Sequence, residues 1–394
     1  MSASRLIFPE AEYRARLRRA QEAMQRHGLA AIWVTTETDI NYFTGFLTRF
    51  WASPSRPWFV ILPVEGDPIA IIPEIGAPLM ARGWVRDIRT WPAPRPEDDG
   101  VSLLVEALSA QRGPIGMPQG PESHLRMPMA DFMRVQAACS NPIGPDKGIV
   151  AGLRAIKSRA EIDCLREVCA VAGRAFDRVT EVAAETVPLS HVFRGFQRLL
   201  LEEGADWVGF LAGAAGPDGY EDVISPADER PLQKGDVLML DTGAVLHGYY
   251  SDFDRNFAIG AASPVAREAH GRLVEAVEAG LEAARPGMRA CDVWRAMIAV
   301  TGPYHGPHGP PGAKGAKRAE ARARLGHGLG LHLTEGLSFL EGDTTVLRPG
   351  MVLTLEPSMP TRDGRIMVHE EVIAVTETGP EKLTTFSGPD LPVI

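Results

Sequence analysis

Apolar residues recur every three to four positions in PEAEYRARLRRAQEAMQRHGLA, at Tyr13, Leu17, Ala20 and Met24, which predicts an amphipathic helix that Gly28 terminates. The pattern then shortens. AIWVTTE, WFVILPV and PIAIIPE are brief, mostly apolar runs that predict strands, and the Gly-Asp between the latter two predicts a hairpin. From Gly113 to Asp146, Pro, Gly and short apolar runs alternate, the composition of strand ends and turns near a boundary. Helical spacing returns after LRAIKS. Ser158 and Glu161 stand at capping-box spacing, and Leu165, Val168, Cys169, Ala172 and Phe176 continue one apolar face. A helix around His191 to Glu203 is expected next, then two strands carrying Asp241 and Asp252. Ser263-Pro264 places an N-cap before a Pro at the first helical position, so another long helix starts there and ends at RPGM. Thr301 to Lys317, rich in Pro, Gly and Lys, predicts a mobile surface loop. The boundary falls near residue 152, giving domains 1–152 and 153–394, and no short-period repeat points to a solenoid or propeller.

A length of 394 residues fits two or three cores. Hydrophobic content of 45% with 23% charged residues is that of a soluble globular chain. The formal net charge of -9 argues against a nucleic-acid partner, which would require clustered Lys and Arg. Cys139, Cys164, Cys169 and Cys291 form no C-x-x-C pair, which suits a reducing cytosol. The N-terminus has no apolar core of a signal peptide, and no window approaches a membrane span; the expected location is the cytoplasm, with no membrane partner.

Five side chains are of the type that ligates divalent Mn, Fe, Co or Zn: Asp241, Asp252, His327, Glu356 and Glu370. Four carboxylates to one imidazole are rich enough in oxygen to hold two such ions. Taken singly, each has another reading. Asp241 and Asp252 lie eleven positions apart near the ends of strand-like runs, where two antiparallel strands can bring them together, but Asp at strand ends is also a turn former. His327 lies between Gly326 and Gly328, which let backbone approach a site closely, yet a lone His is commonly structural. Glu356 interrupts the apolar run MVLTLEP, where a buried carboxylate needs a partner or a metal. Glu370 stands beside Glu371 just before VIAV, which also describes a solvated strand end.

Together the settings LDTGAVLHGYYSDFDRNF, GHGLG, VLTLEPSM and MVHEEVIAVTE resemble the pita-bread metallohydrolases, the superfamily of methionine aminopeptidase, prolidase, aminopeptidase P and creatinase. GLAAIWVTTETDINYFTGF and LRAIKSRAEIDCLREVCAVAGRAF resemble phrases of the branch with an extra N-terminal domain, so the likeness spans almost the whole chain. The resemblance implies an α+β protein: an N-terminal α/β creatinase-like (ribonuclease H-like) domain, then a domain with a curved antiparallel sheet in two pseudo-symmetric halves. It implies two divalent ions per chain, with Asp241 on one, Asp252 and Glu370 bridging both, and His327 and Glu356 completing the second. Glu356 would shuttle a proton from the bridging water to the leaving nitrogen. The implied activity is hydrolysis of an amide bond in a small peptide, of the Xaa-Pro dipeptidase or aminopeptidase P type, by a homodimer.

Departures from the family pattern open other readings. Thr334 stands where a second His is usual and is a candidate substrate contact; His332 lies two positions earlier, on the same face if the segment is a strand, and is either the catalytic substitute for that His or an unrelated surface His. Ile224 stands where a substrate-binding His is usual, with Asp222 nearby as a polar substitute. Asp254 replaces a Thr, and this extra carboxylate either touches a metal or pairs with Arg255, of which the salt bridge is the expected outcome. In LTRFWASPSRPWF, Arg49, Trp51 and Arg56 are candidates to bind a substrate carboxylate, ring or onium group. These features suit a small non-peptide metabolite, in the manner of ectoine hydrolase, creatinase or the dimethylsulfoniopropionate lyases. A non-catalytic binding protein of the same fold is the third reading, and the complete ligand set argues against it.

Overall fold

The structure, a computed structural model, describes residues 6–53, 57–302 and 324–394; Arg56 and the stretch 303–317 lie outside the described residues. Two compact units divide the chain, Met1–Arg154 and Ala155–Ile394.

The first unit opens on the helix Glu10–His27, which buries Tyr13, Leu17, Ala20 and Met24. Gly28 stops it at φ 67°, a left-handed conformation that costs glycine little. Strands β1 (Ala31–Val34), β2 (Phe59–Pro63), β3 (Ile69–Pro73), β4 (Asp87–Trp91), β5 (Ile115–Met117) and β6 (Ile143–Pro145) form one mixed sheet in the order β4-β3-β2-β1-β5-β6. β2 and β3 are the antiparallel hairpin, Val60 opposite Ala70. β1 and β2 are buried on both faces, so they read as unbroken apolar runs rather than alternating ones. Gly113 to Asp146 holds more than strand ends and turns, because the helix Met129–Ala138 lies within it. Only Val135 of that helix is buried, which left no apolar stripe to announce it.

The second unit runs helices then strands, twice. The helix Arg159–Asp177 starts with a complete capping box, Ser158 N–H donating to Glu161 Oε2 at 3.0 Å. The helix Leu189–Glu202 follows, then β7 (Trp207–Pro217), β8 (Asp236–Leu246), β9 (Tyr249–Tyr250) and β10 (Phe253–Ala258), an antiparallel sheet in the order β10-β8-β7 with β9 on β8. The second half begins with the helix Pro264–Ala283, whose N-cap Ser263 hydroxyl accepts the Ala266 N–H at 3.0 Å. Thr301 closes the helix Ala290–Thr301 rather than opening a loop. β11 (Val352–Leu355), β14 (Glu371–Thr376) and β15 (Gly379–Lys382) form the second antiparallel sheet, and β12 (Ser358–Pro360) pairs with β13 (Ile366–Val368).

Candidate metal centre

Register brings the carboxylates together. On β8 and β10, Asp241 pairs with Asp254 and Thr242 with Phe253, so Asp252 lies one residue beyond the last pair. Alternation then puts Asp241, Asp252 and Asp254 on one face of the sheet. Asp241 thus sits in the middle of an eleven-residue strand, not at its end as its sequence context had suggested. In the second half, Leu355 pairs with Glu371, which leaves Glu356 and Glu370 as the next residues outward on β11 and β14.

His327 arrives on a connecting segment bridged to Ser338, with the adjacent Gly328 bridged to Leu353. Its N–H donates to Thr354 Oγ1 at 3.1 Å. Both flanking glycines are needed. A Cβ on Gly326 would overlap the Thr354 carbonyl oxygen, and one on Gly328 the Glu335 carbonyl oxygen. Gly328→Ala should therefore push this segment off its neighbours, with a loss of roughly 1–3 kcal/mol in a denaturant melt and a parallel fall in metal content.

Asp252, His327 and Glu370 are buried, and each offers a ligand atom within 4.8 Å of the others. His327 Nδ1 lies 3.0 Å from the Gly328 carbonyl oxygen. That bond assigns the proton to Nδ1 and leaves the Nε2 lone pair facing Asp252 Oδ2 at 3.3 Å. Burial, aided by the Arg324 guanidinium, holds the imidazole pKa down at about 4, so this lone pair is available at neutral pH. Asp241 and Glu356 lie outside that compact trio but share its electrostatics. Burial first, then the negative charges of Asp241 and Glu356, push Asp252 well above the carboxylate range. Burial and Asp252 do the same to Glu370, and burial and Asp254 to Asp241. Glu356 is pushed up to about 7 by burial, against the pull of Arg324, whose Nε lies 3.2 Å from Oε1.

These residues fit a cation. Among the described residues, the buried atoms Asp241 Oδ1, Glu370 Oε1 and Asp254 Oδ2 have no hydrogen-bond partner. Acceptors crowded together with no donor between them are costly unless positive charge is shared among them. Carboxylate oxygens with one imidazole suit Mn, Fe, Co or Zn.

The departures resolve differently. The carboxylate of Asp254 makes no pair with Arg255; its Oδ1 accepts the Glu370 N–H at 3.0 Å and lies 3.3 Å from His369 Nδ1. Arg255 instead donates to Glu371 Oε2 at 3.1 Å and to the Thr385 carbonyl at 2.7 Å. The strand pleat turns consecutive side chains to opposite faces, which separates Asp254 from Arg255. Residues 330–334 are bends, not a strand, so the same-face argument for His332 and Thr334 lapses. Both are part-buried, on a turn whose end is pinned by the buried ion pair Lys157 Nζ–Glu335 Oε1 at 2.7 Å. Asp222 closes its own turn, accepting from Ile224 N–H, Ser225 N–H and Ser225 Oγ at 2.9, 2.7 and 2.7 Å. It lines a cavity of about 270 Å³ with Arg230 and Arg365, to which none of the five candidate ligands contributes.

In the first unit Trp51 is 8% exposed, its ring 5.7 Å from that of Trp58 and 4.8 Å from the Arg126 guanidinium. Arg126 also donates to the Trp51 carbonyl at 2.8 Å, so the loop is braced from behind. Arg49 lends its charge to part-buried Glu37, whose pKa burial nevertheless raises. Sequence reasoning passed over Arg324, His369 and Arg126. For His369 a signal existed, a third polar residue beside Glu370 and Glu371 in the otherwise apolar MVHEEVIAV.

The sequence model of metallopeptidase family M24 matches residues 163–377, and that of the creatinase/prolidase N-terminal domain matches residues 16–156. A probable dipeptidase, PepE, of Mycobacterium tuberculosis is 27% identical over 381 residues, 94% of each chain. The Xaa-Pro dipeptidase of Pyrococcus furiosus is 28% identical over 240 residues, 60% of this chain and 65% of that protein. The crystal structure of dipeptidase PepE from Mycobacterium ulcerans superposes with a TM-score of 0.79 at 26% identity, covering 98% of this chain and 99% of that one.

Proposed function

The chain belongs to metallopeptidase family M24, with a creatinase/prolidase N-terminal domain, and from that premise we propose that it is a dinuclear metal-dependent dipeptidase acting on Xaa-Pro or other small peptides. One observation carries this reading: buried Asp252, His327 and Glu370 converge, flanked by Asp241 and Glu356, with carboxylate oxygens left without donors among the described residues. Asp241 would hold one ion, Asp252 and Glu370 would bridge, and His327 and Glu356 would hold the second. A pair of divalent ions so held supplies a water acidic enough to be deprotonated near neutral pH and draws charge from a bound carbonyl.

The protein's own groups do the rest. Glu356, poised near 7 before loading, accepts the water's proton and returns it to the leaving nitrogen. Arg324 steadies the Glu356 carboxylate. His332, on the pinned turn, is assigned the catalytic place of the family's second His, and Thr334, Asp222, Arg49, Trp51 and Arg56 are assigned to substrate binding. No helix among the described residues is long and apolar enough to cross a membrane. We place the protein in the cytoplasm as a homodimer, in keeping with its four free cysteines and the family likeness.

A second reading keeps the ions and changes the substrate to a small non-peptide amide or onium metabolite. It is favoured by Thr334 and by Ile224, which is 82% exposed and whose side chain has no hydrogen-bonding group where a substrate-binding His is usual. Assay of Xaa-Pro and other dipeptides with Mn or Co added should give turnover. Silence across the peptides, with cleavage of a small amide or onium compound, would move the assignment to the second reading.

A further inference from the structure

We propose that Asp254 is a sixth metal ligand, supplying Oδ2 to the ion held by Asp241. The inference deepens the two-ion reading and rests on it. Asp254 is 1% exposed, on the same sheet face as Asp241 and Asp252, and directly opposite Asp241 across the β8–β10 pair. Directly opposed residues hold their Cβ atoms about 4.5–5.5 Å apart, and like charges in that relation destabilise a sheet. Asp241 Oδ1 and Asp254 Oδ2 are both buried and both without a hydrogen-bond partner among the described residues. A cation between them would satisfy both.

The other oxygen of Asp254 is already committed. Oδ1 accepts the N–H of Glu370, itself an assigned bridging ligand, and faces His369, whose Nε2 lies 3.3 Å from Glu371 Oε1. This fixes the carboxylate from behind and leaves Oδ2 as its unengaged atom. Where the family commonly has Thr, this chain has a group that adds a negative charge and a stronger oxygen donor. The site then presents five carboxylates and one imidazole.

The division of labour between the two oxygens makes the test selective. Asp254→Asn keeps a carbonyl oxygen to accept the Glu370 N–H while replacing Oδ2 with an amide nitrogen that does not ligate. Mn(II) titrations by calorimetry, with metal content measured after dialysis, should give two ions per chain for the wild type. In Asp254→Asn the affinity for one ion should fall by roughly 100-fold or more while the other stays within a few-fold. Asp254→Thr, which restores the family's usual residue, should show the same selective loss; should the Asn variant not fold, the Thr variant decides. Unchanged affinity for both ions in a folded variant would overturn the proposal and leave Asp254 a support for Glu370. No Mn(II) binding by the wild type would sink the two-ion reading itself, and the proposal with it.

Discussion

Asp252→Ala should empty the centre and abolish hydrolysis. Its carboxylate is the hub of the site, with Oδ2 3.3 Å from His327 Nε2 and ligand atoms of Glu370 within 4.8 Å. As the assigned bridge it would serve both ions, so its removal weakens both rather than one. Loss of metal-supplied charge stabilisation is worth several kcal/mol, on the order of 10³-fold in rate or more. The same substitution removes one of several crowded buried charges, so the metal-free variant should melt no lower than the metal-free wild type. Metal analysis beside a melting curve separates the two effects. A folded Asp252→Ala protein that keeps its full metal content would refute the ligand assignment.

What the sequence made legible was either local or carried as a motif. The helix Glu10–His27, the Ser158 capping box and the Ser263 N-cap depend on residues a few positions apart, and all three form as the pattern predicts. The five candidate ligands could be named because each lies in a distinctive phrase. Their partners could not. Arg255 chooses Glu371 and the Thr385 carbonyl over the carboxylate of its neighbour Asp254 because the pleat separates adjacent side chains and β14 and the stretch after β15 supply acceptors from more than a hundred residues away. His332 misled for the opposite reason: a two-residue period applies only to extended strand, and residues 330–334 are bent beside the long-range pair Lys157–Glu335. Burial is likewise a tertiary property, so Trp51, a candidate to cover a substrate ring by its sequence context, proves largely enclosed by Trp58 and Arg126.

Stripping the ions with a chelator should leave a protein whose stability falls as pH rises. The sign follows from the direction of the shifts. Asp241, Asp252, Glu356 and Glu370 all have folded-state pKa values raised by burial and by one another, against unfolded values of about 4. A raised carboxyl favours folding most fully below its unfolded pKa, and that contribution is lost as pH climbs through the folded value, about 7 for Glu356. For Glu356 alone, a rise from 4.5 to about 7 corresponds to about 3 kcal/mol. That is roughly 6–12 °C in melting temperature for a domain of this size. The metal-free protein should thus melt lower at pH 8 than at pH 5. With Mn or Co saturating, the trend should vanish or reverse, because the ions require deprotonated ligands and bind more tightly as pH rises. The gap between the two melting temperatures should widen from pH 5 to pH 8. A gap that stays constant would mean that these carboxylates do not face a common cation, and the centre would have to be sought elsewhere in the second unit.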